Sequence, residues 1–551
     1  MKRFFNVLMI AVAGILLVSC GNPKKMAKQA DQVSVQCDPQ VLEVVAGKIQ
    51  TKVTVSFPEK FFHPKAIIEV VPAIVYNGGE SLLDPIMFQG EKVTENYEVI
   101  PETGTSVSKN LEFDYVEGME KCHLELRLTV IYKEERVPFA EPYRVADGAN
   151  TTYMLVSKCG TPAYIPDSYK EIIPEQNEAQ ILYLINSATV RGSQLTTKDV
   201  KDFQSFLKSL KEDERRELVN TEIIAYASPD GKEDFNAELS QKRAKSATEA
   251  FNKKINNKKV GVETEISSRN IEEDWDGFSE LVANSDIQDK ELILRVLQMY
   301  SDPAVREKEI KNLSQVYTVL QKEILPALRR ARFIANINFT NYSNEELLTL
   351  VNENIEVLDE EALLRVASLL EDNNAKINVY QQAVNKYSSE RGLVNLAVAY
   401  LAAGENGKAE TTLAKVKETS CPYFIHAQGI VALRKGEFAV AENCFKKAGL
   451  KESNIDLAVI DILNGKYNEA LAKVKGTNTF NEALAYVLTN NLMAASKILG
   501  DCQCPRINYL KAVIAARNGK VAQANEALAI ATKDEALAKR AENDIEFAKI
   551  R

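Results

Sequence analysis

Polar side chains that could bind a charged ligand are concentrated between residues 220 and 253. A motif of the form N-x-x-L-S-x-x-R-A is spelled there by Asn236, Leu239, Ser240, Arg243 and Ala244. Ser228 and Asp230 precede the motif in a Ser-Pro-Asp-Gly turn, and an Arg329-Arg330 pair follows later in the chain. A guanidinium offers a planar fork of donors to a carboxylate. The candidates for a ligand-binding site are Ser228, Asp230, Asn236, Arg243, Arg329 and Arg330.

No catalytic or metal-binding signature accompanies this motif. The sequence lacks a Gly-x-Ser-x-Gly elbow, a P-loop, a His-Glu-x-x-His helix and a dinucleotide glycine fingerprint. Paired carboxylates such as Glu272-Glu273 and Glu360-Glu361 lie in charged helical stretches, which are typical of a solvated face. The three histidines are scattered, and the cysteines have no zinc-site spacing. We therefore expect a protein that is not an enzyme and that holds no metal or cofactor.

A strand, a turn and a helix must position the motif. The apolar run before Pro229 predicts a buried strand at 221–227, and the apolar residues Phe235, Leu239 and Ala247, which recur near a 3.6 period, predict the helix after the turn. One further helix and three further strands are expected at 197–211, 181–185, 262–268 and 332–339. Together these elements predict a β-α-β-α-β-β domain over residues 179–340, with a helical insertion at 271–328.

This motif and this order of elements resemble the C-terminal, peptidoglycan-associating domain of the OmpA family, in an extended form found in lipoproteins of the Bacteroidota. The resemblance implies a pocket for the diaminopimelate residue of the peptidoglycan stem peptide, which carries an ammonium and a carboxylate on one carbon. In the family pattern the motif arginine, here Arg243, binds the carboxylate, and the motif asparagine, here Asn236, lines the pocket. A structural role for Arg243, with bonds to Ser228 or to backbone carbonyls, is the alternative.

The chain departs from the family pattern at the group that should bind the ammonium. The family has a Thr-Asp pair where this sequence has Ala227-Ser228, so the expected carboxylate is missing. A serine can accept a hydrogen bond but carries no charge, which removes a contact worth roughly 1.5–3 kcal/mol. Asp230 is the candidate substitute. Arg329-Arg330 matches the Arg-Arg that opens the family's last strand, although Leu328 stands where the family has asparagine.

The N-terminus predicts export and lipidation. Basic residues precede an apolar run at 4–18 that is too short to span a bilayer as a helix, which is typical of a bacterial signal peptide over residues 1–20. Leu17-Val18-Ser19-Cys20 resembles a lipobox, in which Cys20 receives the lipid and becomes the first mature residue. Gly21 favours the outer membrane by resemblance to the usual sorting rule. An uncleaved anchor or a plain secretory signal is the alternative.

A β-rich domain is expected after a short tether at 21–32. Residues 33–156 alternate apolar and polar side chains in short runs separated by turn signals such as Asn77-Gly78-Gly79, which predicts an antiparallel, immunoglobulin-like β-sandwich. Three prolines among polar residues indicate a linker at 157–178. Either a disulfide or burial as free thiols is expected for Cys37, Cys122 and Cys159.

The C-terminal region, residues 341–551, is expected to be a helical solenoid. A turn followed by alanine five residues later recurs through it, with the turn residue at Gly404, Gly436, Gly465, Asn490 and Gly519. This pattern resembles the inter-helix turn and small-residue contact of tetratricopeptide-like repeats, in which glycine ends the first helix in the left-handed conformation. An irregular helical bundle is the alternative. Solenoids of this kind offer an extended surface to protein partners.

The sequence therefore predicts a multidomain α+β protein of 551 residues that acts as a non-enzymatic adaptor of the cell envelope. It is anchored to the outer membrane through Cys20, faces the periplasm, associates with peptidoglycan through the OmpA-like domain and binds a protein partner through the repeats. A net charge of −9 argues against nucleic acid as a main partner. Two alternatives are open: a protein-interaction lipoprotein of a secretion or outer-membrane assembly complex that no longer binds peptidoglycan, and a surface-exposed lipoprotein that binds a glycan or a host protein.

Overall fold

The structure is a computed structural model that describes residues 23–230 and 233–550. Cys20 and the expected signal peptide therefore lie outside the described residues. The chain divides into two compact units: unit 1 comprises Met1–Ile165 and Ser388–Arg551, and unit 2 comprises Pro166–Tyr387. The β-rich region and the last helices thus belong to one unit, whereas the sequence predicts a separate domain for each. None of the described helices is long and apolar enough to cross a membrane.

The first part of unit 1 is mostly β-structure. Its described elements are α1 (Pro23–Lys28), β1 (Ser34–Asp38), β2 (Val41–Val45), β3 (Lys48–Phe57), β4 (Ile67–Tyr76), β5 (Gly79–Leu82), β6 (Ile86–Gly90), β7 (Glu98–Ile100), β8 (Thr105–Asp114), β9 (Cys122–Tyr132), β10 (Glu135–Pro138) and β11 (Tyr143–Asn150). The expected polar tether is wrong for residues 23–32, which are largely helical because Met26 and Ala27 are apolar and pack into the core.

Pairing among these strands is mixed rather than purely antiparallel. The main path runs β1-β3-β2-β11-β9-β4-β6-β7, with β8 beside β3, β5 beside β4 and β10 beside β9. Most neighbours are antiparallel, but β2 pairs with β11 and β6 pairs with β7 in parallel. Parallel neighbours are joined by a crossover connection rather than by a hairpin. The alternation of apolar and polar residues within each strand does not reveal such a connection. The β-rich fold is confirmed, and the expectation of an entirely antiparallel sandwich is wrong.

Alternation along these strands directs every second side chain into a core that the last helices share. In β3, for example, Ile49, Val53 and Phe57 are buried. Buried side chains of the strands and of the C-terminal helices form one continuous hydrophobic cluster. Gly465, in a turn between two of those helices, approaches β2 so closely that a Cβ there would lie 2.2 Å from Val45 Cγ1. This shared core explains why the two segments make a single unit.

Unit 2 is built on a four-stranded sheet of order β12-β15-β13-β14, in which β13 and β14 are parallel and the other neighbours antiparallel. The strands are β12 (Ile172–Leu182), β13 (Arg216–Tyr226), β14 (Ile266–Ile271) and β15 (Arg330–Thr340). The described helices are α2 (Lys198–Ser209), α3 (Glu233–Ala250), α4 (Trp275–Ala283), α5 (Lys290–Met299), α6 (Pro303–Asn312), α7 (Ser314–Glu323), α8 (Leu325–Leu328), α9 (Asn344–Glu353), α10 (Glu360–Leu369) and α11 (Asn373–Tyr387). Helices α4 to α8 are inserted before the last strand, and α9 to α11 belong to this unit rather than to the C-terminal helical region.

Strand β12 begins at Ile172 and ends at Leu182, so the expected strand at 181–185 and the linker assignment of residues 172–178 are both wrong. Pro174 is the reason, because a proline lacks the N–H that a central strand needs. In this sheet β12 lies at the edge, where that N–H is not required. Polar residues fit the edge as well, since Glu175 forms an ion pair with Arg216 of β13 at 2.9 Å.

The last part of unit 1 consists of helical hairpins. Its described helices are α12 (Glu390–Ala402), α13 (Asn406–Leu413), α14 (Pro422–Lys435), α15 (Phe438–Ala448), α16 (Lys451–Leu463), α17 (Tyr467–Val474), α18 (Phe480–Leu488), α19 (Leu492–Leu499), α20 (Pro505–Arg517), α21 (Val521–Ala531) and α22 (Glu535–Asn543). Helices α12 to α21 pair consecutively, so that a first and a second helix make each hairpin.

The predicted turns between the paired helices are confirmed. One residue in each turn has a positive φ, between 60° and 82°; these residues are Gly404, Gly436, Gly465, Asn490 and Gly519. In each turn the N–H of the next residue donates to the carbonyl five residues earlier, as Glu437 does to Ala432 at 2.9 Å, which is the Schellman pattern. The alanines that follow are fully buried at positions Ala409, Ala441, Ala470, Ala495 and Ala524. The second helix of each hairpin can therefore lie close against the first.

Candidate functional site

A cavity of about 530 Å³ in unit 2 brings together most of the site residues that the sequence predicts. It is lined by Ile185, Asn186, Ser228, Asp230, Phe235, Asn236, Leu239, Arg243 and Arg329. Five of the six candidates are therefore in one place, and Arg330 is not among these lining residues. The cavity lies where the chain leaves β13 and approaches α3, so the strand, turn and helix expected from the sequence position it.

Arg243 is a buried arginine whose donors are directed at the backbone. Only 1% of its surface is exposed. Its Nε donates to the Ser187 carbonyl at 2.9 Å, Nη1 to the Tyr226 carbonyl at 2.8 Å and Nη2 to the Leu184 carbonyl at 3.2 Å. Its guanidinium lies over the Tyr183 ring, 5.1 Å from the centroid, and burial lowers the pKa of Arg243 to about 10. These contacts match the structural role that the sequence leaves open for Arg243.

Asp230 and Arg329 form an ion pair at the cavity. Nη2 of Arg329 lies 3.2 Å from Oδ2 of Asp230, and both side chains are mostly buried. Ser228 donates its hydroxyl to Oδ1 of the same carboxylate and accepts a hydrogen bond from Nε of Arg329 at 3.4 Å. Asn236 donates to the Ser228 carbonyl at 3.2 Å, which joins the turn to α3. The cavity therefore has a carboxylate two residues after Ser228.

Arg330 faces a different set of partners. Its Nε and Nη2 donate to Oδ2 of Asp274 at 3.0 and 2.8 Å, and its guanidinium lies 5.0 Å from the centre of the Tyr226 ring. Oδ1 of Asp274 accepts from the Gly277 N–H at 3.0 Å and so caps α4. Burial raises the pKa of Asp274, and Arg330 opposes that effect. Arg330 thus ties the start of the helical insertion to β15.

Two exposed apolar residues of the cavity are not among the candidates from the sequence. Ile185 is 61% exposed and Phe235 is 45% exposed. The sequence uses Phe235 only as part of the apolar period of α3, and the expected strand at 181–185 gives Ile185 no site role. No local signal distinguishes these residues, because their exposure depends on how α3 and the loop after β12 meet. They give the cavity an apolar rim.

A second group of buried polar side chains lies on the hairpins of unit 1 and binds residues 155–165, here called the strap. Asn395 accepts from the Ile165 N–H at 2.7 Å and donates to its carbonyl at 2.9 Å. Asn481 makes the same pair of bonds to Ser157, at 2.7 and 2.9 Å. The expected linker is therefore wrong for its first residues as well, because these are held by the hairpins.

The centre of the strap is held by an acid and a histidine. Asp456 accepts from the Thr161 N–H at 3.0 Å and from its hydroxyl at 2.8 Å. Nε2 of His426 lies 2.8 Å from the Thr161 carbonyl and Nδ1 lies 2.9 Å from the Ser453 hydroxyl, so a proton on Nε2 satisfies both contacts. Burial lowers the pKa of His426 and raises the pKa of Asp456 to about 7.

The residues that hold the strap carry a signal that sequence reasoning missed. Asn395, Asp456 and Asn481 each lie nine residues before the left-handed residue of their own hairpin. Each of them also lies in a first helix, among apolar residues. The sequence therefore shows a polar residue that recurs at one position of the apolar first helices, but it does not show that this residue binds the strap.

Among the described residues, the metal-ligating side chains form no cluster and the cysteines form no disulfide. Within residues 23–230 and 233–550, no cluster of His, Cys, Asp and Glu side chains could hold a metal ion. The described cysteines are free thiols, of which Cys37 and Cys122 are buried and Cys159 is exposed. The structure therefore shows no disulfide among these three. The expected burial as free thiols holds for Cys37 and Cys122 but not for Cys159.

Comparisons with known proteins assign no family. No family model matches the chain, and no curated protein matches it significantly. Among solved structures, the chain is similar to a tetratricopeptide repeat protein from Parabacteroides merdae ATCC 43184, with 14% identity, coverage of 37% of this chain and 91% of that chain, and a TM-score of 0.27. It is also similar to Salmonella alpha-2-macroglobulin reacted with methylamine, with 10% identity, coverage of 84% of this chain and 27% of that chain, and a TM-score of 0.13. Similarities at these TM-scores carry no argument about fold or function.

Proposed function

We propose that this protein is a non-enzymatic adaptor of the cell envelope. In this proposal, Cys20 anchors the chain to the outer membrane with its domains in the periplasm. The cavity of unit 2 is an OmpA-like pocket that binds the diaminopimelate residue of peptidoglycan. The hairpins of unit 1 bind a protein partner, as helical solenoids do.

The observation that carries the proposal is the Asp230–Arg329 pair in the cavity, with 3.2 Å between the charged groups. A ligand with an ammonium and a carboxylate on one carbon needs an acid and a base side by side. Its ammonium can take the place of Arg329 at Asp230, and its carboxylate the place of Asp230 at Arg329. This exchange replaces one set of charge-assisted hydrogen bonds by another. The pocket is therefore complementary to a zwitterion in charge and in spacing.

Arg329 takes the role that the resemblance assigns to Arg243. Arg243 acts as a positioning residue in this proposal, because it binds the carbonyls of Leu184 and Ser187 on either side of two lining residues. Of these two, Ile185 provides apolar surface for the methylene chain of the ligand, together with the exposed Phe235. Pockets of this kind combine an apolar lining with a few polar groups that fix orientation.

A second candidate is a lipoprotein that binds proteins but no longer binds peptidoglycan. The same ion pair favours it, because Asp230 and Arg329 neutralise each other within the chain and Ser228 contacts both. The pair would then be a structural tie between the turn and the start of β15. In that case the hairpins alone would carry the function, in a secretion or outer-membrane assembly complex.

Cosedimentation of the full mature chain with isolated peptidoglycan sacculi separates the two candidates. Asp230→Asn and Arg329→Gln each remove one charge with little change in size, and each is expected to weaken binding about tenfold or more. Arg332→Gln is the matched control, because this arginine of β15, three residues after Arg329, pairs with Glu178 and does not line the cavity. Failure of the wild-type chain to sediment would favour the second candidate. Equal sedimentation of all variants would place the peptidoglycan site elsewhere.

A further inference from the structure

The main chain of the strap is hydrogen-bonded along its length, in addition to one side-chain bond from Thr161 and the burial of apolar side chains such as Leu155 and Val156. Ser157, Thr161 and Ile165 each have both the N–H and the carbonyl bonded to hairpin side chains. Between Ser157 and Thr161, the Cys159 carbonyl accepts from Arg434 at 2.8 Å, and before Ser157 the Leu155 carbonyl accepts from Arg506. The bonded residues are thus spread along the whole strap.

The side chains that make these bonds imitate a neighbouring β-strand. A carboxamide presents one acceptor and one donor side by side, which is what the main chain of a paired strand offers to a residue opposite it. Asn395 and Asn481 use both groups on a single strap residue. At Thr161 the acceptor comes from Asp456 and the donor from His426. The first helices of the hairpins therefore provide the pairing that an extended chain lacks.

These polar groups are buried beneath the strap and need a polypeptide there. Asn395 and His426 have no exposed surface, and Asp456 has 2%. Buried polar groups in folded proteins are almost always paired, and the N–H and carbonyl groups of the strap are among the partners of all three. The hairpins thus present a built site whose ligand is an extended peptide.

The site selects for small residues at two strap positions and tolerates variation at others. Gly160 has a φ of +71°, and a Cβ there would lie 2.7 Å from Cγ1 of Ile430. Ala163 is buried, whereas Lys158 and Pro162 are exposed. The hydroxyl of Thr161 bonds to Asp456. The preferred peptide is therefore extended, with glycine, then threonine or serine, and a small residue two positions further on.

We propose that this face of the hairpins is a binding site for extended polypeptide segments, and that the strap is a resident ligand that a segment of a partner protein can replace. The partner's segment carries the glycine, hydroxyl and small-residue pattern of the strap. The inference deepens the protein-partner role in the proposed function and rests on it, but it does not depend on peptidoglycan binding.

Covalent connection gives the strap an advantage over any free peptide. A ligand tethered by a short linker acts at an effective concentration in the millimolar range, so a free segment competes poorly until the strap is weakened. A partner can overcome this advantage with a better sequence or by being held nearby. In the isolated wild-type chain, we therefore expect weak binding of a free strap peptide.

The test uses a fluorescent peptide of residues 153–167, with serine in place of the exposed Cys159, and the full mature chain. Gly160→Val in the chain places a side chain against Ile430 and weakens the strap. Fluorescence anisotropy is expected to show binding to this variant about tenfold or more tighter than to the wild type. Adding Asn481→Ala to the Gly160→Val chain removes two bonds to the peptide and should reverse the gain, whereas adding Asn443→Ala, an exposed asparagine of α15, should not.

Absence of peptide binding to a Gly160→Val chain with wild-type helicity by circular dichroism would overturn the inference. If that variant does not fold, hydrogen–deuterium exchange of the wild-type chain decides. We then expect the strap amides to exchange through local release, faster than the amides inside α14 and α16. If the strap amides exchanged hydrogen for deuterium only through global unfolding, the strap could not be a ligand that a partner segment replaces. Sacculus binding by the same variants is expected to match the wild type, so failure of the peptide test and failure of the peptidoglycan proposal are distinguishable.

Discussion

In unit 2 the cavity is lined by charged side chains that satisfy one another, whereas in unit 1 the hairpin side chains satisfy the main chain of the strap. Most polar residues of the cavity lie within residues 228–243. The strap is held by residues 230 to 351 positions away in the sequence. In the two proposals, the chain itself occupies each ligand site with a stand-in, an opposite charge in the cavity and a peptide on the hairpins.

This difference indicates what each site can accept. A cavity whose stand-in is an ion pair fits a small ligand that carries both charges. A face whose stand-in is a main chain fits an extended segment of polypeptide. The comparison also separates two roles for buried polar residues: Arg243 shapes the cavity through carbonyls of its own unit, while Asn395 and Asn481 recognise a segment that is far away in sequence.

The largest effect is expected for Arg243, which the comparison treats as a positioning residue. Arg243→Met leaves three carbonyls without their donor and should lower the free energy of unfolding of unit 2 by on the order of 3–5 kcal/mol. Arg243→Lys should recover only part of this loss, because an ammonium cannot replace the planar fork. Urea unfolding followed by fluorescence of Trp275, the one tryptophan of the chain, measures the change. A loss below about 1 kcal/mol would contradict the role.

A smaller effect is expected at the strap. Asn395→Ala and Asn481→Ala each remove two bonds to the strap main chain and should each lower the stability of unit 1 by about 1–3 kcal/mol. Thermal unfolding monitored by circular dichroism of the helices measures this loss. Asn443→Ala, at an exposed position of α15, is the matched control and should change stability by less than about 0.5 kcal/mol. Equal stability of all three variants would mean that the strap contributes nothing to the unit.

The third effect is a pH dependence that belongs to Asp456 under the strap. Burial raises the pKa of Asp456 to about 7 from an ordinary value of 3.8. Between these values the folded chain holds a proton that the unfolded chain has released, so stability falls as the pH rises from about 4 to about 7. The difference in thermal unfolding between wild type and Asp456→Asn across this range isolates the effect from that of His426. If the wild-type chain instead became more stable relative to Asp456→Asn as the pH rises across this range, the raised pKa of Asp456 would be contradicted.

Sequence reasoning reached the cavity because its residues lie close together along the chain. A strand, a turn and a helix were expected around Ser228 and Arg243, and the structure places five of the six candidates at one cavity. The sequence could not assign Arg329 and Arg243 to their different contacts, since these depend on how the loop after β12 and the start of β15 fold around α3.

The strap shows the opposite limit. The turns of the hairpins could be predicted because glycine at a left-handed position is a local requirement. The prolines of residues 157–178 carry an equally local signal, but it describes backbone conformation and not what the segment contacts. Main-chain recognition uses atoms that every residue has, so the bound segment leaves little trace in its own sequence. Only the recurring polar residue in the first helices pointed to it.

Titration calorimetry of a soluble stem peptide containing diaminopimelate into the full mature chain tests the central claim most directly. We expect saturable binding to the wild-type chain, loss of binding with Asp230→Asn, and unchanged binding with Asn481→Ala, which alters only the strap site. Absence of binding to the wild-type chain at millimolar peptide, or full binding to Asp230→Asn, would contradict the proposal that the Asp230–Arg329 pair is the recognition site of a cell-wall adaptor.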